Sequence, residues 1–138
     1  MNKNRTIYRS LTQLLAVAGC IACVGCWGKA PPPSTSAIAA GLATIDGQPI
    51  TGGMITLVSA ENPRKRATGI LRPDGTFRLA GSPIGESYVI IDTTSVQMGD
   101  PSAYMPLPRK YSRLETTDVT VELQPGENTD VAIRCESL

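Results

Sequence analysis

Along most of the chain, apolar and polar residues alternate with a period of two, and Gly, Pro, Asn and Asp break the alternation every few positions. That period marks strands that bury one face. Seven runs carry it: 41–45, 54–58, 66–71, 76–79, 88–91, 117–123 and 130–135. Ile55 and Leu57 share one face, and Phe77 and Leu79 flank Arg78 in the same way. Tyr88-Val89-Ile90-Ile91 is apolar on both faces and reads as a central strand. Asp46-Gly47 is a tight-turn dipeptide, Glu61-Asn62-Pro63 and Arg72-Pro73-Asp74-Gly75 break or turn the chain, and Pro125-Gly126-Glu127-Asn128 reads as a hairpin turn. Seven strands without an amphipathic helix predict an all-β domain over 39–138, a seven-stranded antiparallel β-sandwich.

One stretch departs from the rhythm. Positions 95–114 carry Gly99, Pro101, Pro106 and Pro108, too many breakers for a central strand. They predict a long loop, and long loops often carry function. Tyr104, Arg109, Lys110, Tyr111 and Arg113 lie in it. It reads either as a crossover between sheets, with Tyr111 closing the edge of the core, or as a contact surface for a ligand or partner through Tyr104, Arg109, Lys110 and Tyr111.

The longest apolar run lies elsewhere, at 11–24, behind Lys3, Arg5 and Arg9. A membrane-spanning helix needs about 20 mostly apolar residues; this run is shorter and includes Thr12, Gln13 and Gly19. Basic residues, a short apolar core and small residues before a cysteine are the marks of an export signal. Val17-Ala18-Gly19-Cys20 has the spacing of a lipobox, at which a signal peptidase cuts before a lipid-bearing cysteine; Cys26, in Cys23-Val24-Gly25-Cys26, is the alternative. Residues 1–26 are therefore read as a lipoprotein signal and lipidation region. The expected location is the cell envelope, with membrane lipid holding the chain through an acylated N-terminal cysteine. Two or more acyl chains are needed for stable anchoring. Residues 27–38 follow as a flexible linker, with Pro31-Pro32-Pro33 favouring an extended spacer.

Charge and cysteines narrow the classes. The 13 basic residues fall to 10 once Lys3, Arg5 and Arg9 leave with the signal, against 12 acidic ones, a net charge of −2. That is no footprint for nucleic acid. The chain has no His, which removes the commonest general base and transition-metal ligand. Cys20, Cys23 and Cys26 superficially resemble an iron–sulfur run, but they lie within the export signal and lack a nearby fourth thiolate. No metal site and no cofactor are read from the sequence. Cys135 stands alone near the C-terminus. It reads as a buried free thiol rather than the disulfide partner of Cys23 or Cys26. Arg64-Lys65-Arg66 is a basic run at a hairpin tip, either solvated or in contact with anionic headgroups or acidic polysaccharide.

The order of these motifs resembles a known family. Gly41-Leu42-Ala43-Thr44-Ile45-Asp46-Gly47-Gln48-Pro49-Ile50, followed by Gly52-Gly53 and a second β-run, looks like the opening of small lipoproteins with carboxypeptidase regulatory-like or transthyretin-like domains. Positions 68–79, 82–89, Pro108-Arg109-Lys110-Tyr111 and 119–128 extend the resemblance across about 41–135. The Gly85-Glu86-Ser87-Tyr88 stretch is one residue longer than the family's usual form. The resemblance implies a transthyretin-like sandwich without catalytic function and offers no functional residues to carry over.

The expected function is a non-catalytic envelope lipoprotein whose sandwich is a structural or protein-interaction module, with an envelope protein or polysaccharide as partner. A carbohydrate-binding module is the alternative, for which Tyr88, Tyr104, Tyr111 and Trp27 are the candidate aromatics. An enzyme is least expected: there is no His, no S-x-x-K and no G-x-S-x-G, and Asp46 and Asp74 are explained as turn formers.

Overall fold

The computed structural model describes residues 35–137. Eight strands follow in order: β1 (Ala37–Ile45), β2 (Gln48–Pro49), β3 (Gly53–Ser59), β4 (Arg66–Leu71), β5 (Thr76–Ser82), β6 (Gly85–Asp92), β7 (Thr120–Leu123) and β8 (Gly126–Cys135). Between β6 and β7 lie a short helix, α1 (Thr94–Gly99), and a 3-10 turn, Arg109–Ser112. The stretch read from the sequence as a signal, with Cys20, Cys23, Cys26 and Trp27, lies outside the described residues.

The period of two becomes two sheets facing one core. The first sheet is organised on β1, which pairs in parallel with β8 along one side. Its other side is shared between β5, antiparallel from Ala37 to Leu42, and β2, antiparallel at Thr44 and Ile45. The second sheet has the order β4-β3-β6-β7, with every pair antiparallel. Ala39, Ala43, Phe77, Leu79 and Ile133 from the first sheet meet Ile55, Leu57, Leu71, Val89, Ile91 and Leu123 from the second in one buried cluster. Each large apolar side chain so buried contributes about 1.5–3 kcal/mol.

The sequence reading is corrected at several points. The sandwich is not wholly antiparallel, because β1 and β8 run side by side in the same direction. An eighth strand, β2, arises because Asp46-Gly47 forms a two-residue turn, with φ of 48° and 81°, and lets Gln48 pair back on Ile45. β1 starts at Ala37, two residues before the expected domain start, because buried Ala37 pairs with Ser82 and Gly126. Pro125-Gly126-Glu127-Asn128 is not a hairpin turn: β7 ends in one sheet and β8 begins in the other. The Asn128 side chain spans this corner, accepting from the Gln124 N–H at 3.0 Å and donating to the Gln124 carbonyl at 2.9 Å. Residues 117–119 precede β7 rather than belonging to it, with Thr117 Oγ1 donating to the Val89 carbonyl at 2.7 Å. Part of 95–114 is the helix α1.

These pairings sort the connections to two ends of the sandwich. Residues 35–36, 60–65, 83–84 and 124–125 gather at the end where β1 begins. The Gly126 N–H there faces the Ser36 carbonyl, and Ala60 N–H donates to the Glu86 carbonyl at 3.0 Å. Residues 46–52, 72–75 and most of 93–116 gather at the opposite end. There Asp46 N–H meets the Cys135 carbonyl at 3.0 Å and Ala43 N–H meets the Gly75 carbonyl at 2.9 Å. Eight residue steps of β1 set the ends about 26 Å apart.

Candidate functional site

The end of the sandwich remote from residue 35 holds the segment between β6 and β7, and concave surfaces lie on either side of it. On one side is an apolar groove of about 670 Å³, lined by Gly53 and Met54 of β3, Ile70 of β4, Pro73, Val96 of α1 and Ala103. Met54 and Ile70 are cross-strand partners. Alternation along β3 and β4 sends Ile55 and Leu71 inward, which obliges Met54 and Ile70 to face outward. Ile70 is 74 % exposed, and Met98 on α1 is 84 % exposed. Thr51 Oγ1 donates to the Ala103 carbonyl at 2.7 Å and fixes the segment against the loop before β3.

On the other side is a polar cleft of about 300 Å³, lined by Asp92, Thr93, Tyr104, Pro108, Arg109 and Arg113, among others. Thr93 Oγ1 donates to the Met105 carbonyl at 3.3 Å and ties the residue after β6 to this segment. Asp92 accepts the Thr94 N–H at 2.8 Å, and bonding to Thr94 holds its carboxyl below the usual carboxylate range. Arg109 and Arg113 form no ion pair among the described residues. The cleft therefore presents two guanidinium groups suited to an anionic group.

Of the four residues in the 95–114 stretch singled out from the sequence, Tyr104 and Arg109 meet in this cleft. Lys110 and Tyr111 do not join them. Lys110 Nζ lies 2.8 Å from Asp118 Oδ2 and 4.7 Å from the centre of the Tyr111 ring. Tyr111 is buried, and its hydroxyl binds the Glu136 backbone. The crossover reading concerned Tyr111 alone, and Tyr111 packs in the core cluster. Cys20 and Cys26 lie outside the described residues. The apolar groove was missed because alternation told that Met54 and Ile70 oppose Ile55 and Leu71 but not that Val96 and Ala103 would wall the exposed side.

Three aspartates at this end are tied up in turns. Asp46, Asp74 and Asp100 are each held below the usual carboxylate range by side-chain hydrogen bonds from Ser137, Thr76 and Ser102. That is the opposite of the raised carboxyl that a general acid needs. Burial pushes the Cys135 thiol up to about 11, away from a nucleophilic thiolate. Among the described residues no three His, Cys, Asp or Glu side chains converge as a metal site, and no helix is long and apolar enough to cross a membrane.

Comparison with known proteins gives no match: no family model fits the chain, and no curated protein and no solved structure matches it significantly.

Proposed function

We propose that this chain is a non-catalytic lipoprotein of the cell envelope. Membrane lipid holds it through an acylated Cys20, with Cys26 as the alternative, and its sandwich, transthyretin-like in plan, is a protein-interaction module. The observation that carries the reading is the placing of the Met54–Ile70 groove at the far end from residue 35. A domain tethered by its N-terminal side would present that groove away from the membrane. An exposed Ile70 on β4, an end strand of its sheet, suits a partner that adds a strand and seats an apolar side chain beside Met54. The lowered carboxyls and the raised thiol support a role without catalysis.

The carbohydrate reading gains less from the geometry. Stacking on sugar rings needs a flat exposed aromatic surface, and Tyr111 and Phe77 are buried. Tyr88 and Tyr104 are half-buried on different elements, Tyr88 opposite Val58 and Thr120 in the sheet and Tyr104 in the polar cleft.

The test is a photoreactive residue placed at Ile70 of the full-length protein in living cells, with Ala132 on β8 as control. The expected result is one discrete protein adduct from position 70, lost in a Met54→Lys background and absent from position 132. Equal, diffuse labelling from both positions would contradict the reading.

A further inference from the structure

The end of the sandwich where β1 begins carries its own charged surface. The β3–β4 hairpin tip brings Arg64, Lys65 and Arg66 into a cleft of about 330 Å³ that also includes Thr35, Ser36, Pro83 and Ile84. The tip is held in shape by its own backbone N–H groups, which donate to the Ser59 and Asn62 side chains and to the Asn62 carbonyl. Asn62 N–H donates to Ser59 Oγ at 3.3 Å, Arg64 N–H donates to Asn62 Oδ1 at 3.1 Å, and Lys65 N–H donates to the Asn62 carbonyl at 2.8 Å. None of the three cations forms an ion pair among the described residues. One carboxylate, Glu61, lines the same cleft. On the flank, Glu86 and Glu122 face each other across β6 and β7.

We propose that this end is a membrane-facing surface, and that Arg64, Lys65 and Arg66 bind the anionic headgroups of the leaflet to which the chain is tethered. The proposal rests on the lipid-anchor reading above. Thr35 and Ser36 lie in the cleft with the cations, so the tether leaves the domain beside them. From Cys20 to Ser36 the chain has 16 steps, and from Cys26 it has 10, a reach of at most about 60 Å or 35 Å. A tether of that length holds the cluster at high effective concentration near the headgroups. Attraction that would be too weak for a free protein then suffices. Each cation near an anionic leaflet is worth about fivefold in occupancy at low salt, and the attraction fades beyond about 8 Å at physiological ionic strength. Glu86 and Glu122 repel the same leaflet, which confines contact to the tip and leaves the far groove pointing outward. Ile84, partly exposed beside the cations, adds an apolar contact at headgroup depth.

Lys65 is its own reporter, and Lys110 at the far end is the internal control. The lipidated full-length protein is reconstituted in vesicles of phosphatidylcholine alone or with phosphatidylglycerol, and flotation is recorded. Amine acetylation of each lysine is then followed by mass spectrometry. The expected result is flotation with both vesicles, several-fold slower acetylation of Lys65 only on the anionic ones, and an unchanged Lys110. The protection should vanish in high salt and in the Arg64→Glu/Arg66→Glu variant, which keeps Lys65. Flotation with equal Lys65 rates on both vesicles overturns the proposal while leaving the anchor intact. Failure to float removes the anchor and this surface together. Protection by a soluble anionic polysaccharide on neutral vesicles, without protection by phosphatidylglycerol, also overturns it in favour of a glycan.

Discussion

The Tyr111 hydroxyl accepts the Glu136 N–H at 2.8 Å and donates to the Glu136 carbonyl at 3.1 Å. One side chain thus clasps the β6–β7 segment to the residue after β8, so the ends of both sheets are tied together at the remote end. Removing the oxygen strands an N–H and a carbonyl beside a buried ring. Tyr111→Phe is expected to lower stability by about 1–3 kcal/mol in urea unfolding. Crosslinking from Ile70 should persist, since the groove lies on the other side of the segment. An unchanged unfolding midpoint would show that the clasp holds nothing.

At Gly41 the pairing of β1 with β8 leaves no room for a side chain. The register between these strands shifts between Ala39 and Gly41, and a Cβ built on Gly41 would lie 1.9 Å from the Val131 carbonyl oxygen. Backbone cannot yield as a flexible side chain can. Gly41→Ala is expected to cost about 3 kcal/mol or more, or to prevent folding. Gly47→Ala is the milder comparison, because none of the described residues lies within 4 Å of its Cβ position and only its φ of 81° resists. Equal stability of the two variants by thermal unfolding would refute the parallel pairing as drawn.

Ser87 on β6 is fully buried, and its hydroxyl has no hydrogen-bond partner among the described residues. A buried hydroxyl left unpaired costs free energy that an alanine does not. Ser87→Ala is therefore expected to raise stability by up to about 1 kcal/mol. A clear loss of stability on this substitution would mean that the hydroxyl has a partner after all.

Stability should fall at both extremes of pH, for different reasons. Cys135 stays protonated in the fold up to about 11 against an ordinary 9.0, so its contribution is complete below pH 9 and is lost as pH rises toward 11. Asp46, Asp74, Asp92, Asp100 and Asp118 are all held below the ordinary 3.8. Their contribution is present above that value and is lost as pH falls through their lowered values. Cys135→Ala should shrink the alkaline loss and leave the acid loss unchanged, because the Lys110 amine, raised by its bond to Asp118, keeps a share of the alkaline loss. The native thiol should react with iodoacetamide at pH 8 only after denaturant is added.

What the sequence revealed and concealed follows from the range of the forces involved. Alternation at Ile55 and Leu57, or at Phe77 and Leu79, is set by neighbours two residues apart, and those faces were readable. Asp46-Gly47 carries its turn in its own dihedral preferences. The parallel pairing of β1 with β8 joins residues about ninety positions apart, Ala43 with Ile133 for example, and no local pattern encodes it. The same distance hid the corner at Gly126, where the turn residues are ordinary but the next strand joins the other sheet. Tyr104 and Arg109 were legible as polar residues in a Pro-rich loop. That Lys110 turns to Asp118 and Tyr111 turns inward depends on the 3-10 turn that holds both. The Met54–Ile70 groove needed Val96 and Ala103 from a segment whose course the prolines obscure.

The most direct test is the intact mass of the protein extracted from the membrane fraction of cells that produce it. The expected result is a mature chain beginning at Cys20, or at Cys26, with diacylglyceryl mass on that cysteine. A chain that retains Met1, carries no lipid and is recovered from the soluble fraction would contradict the account.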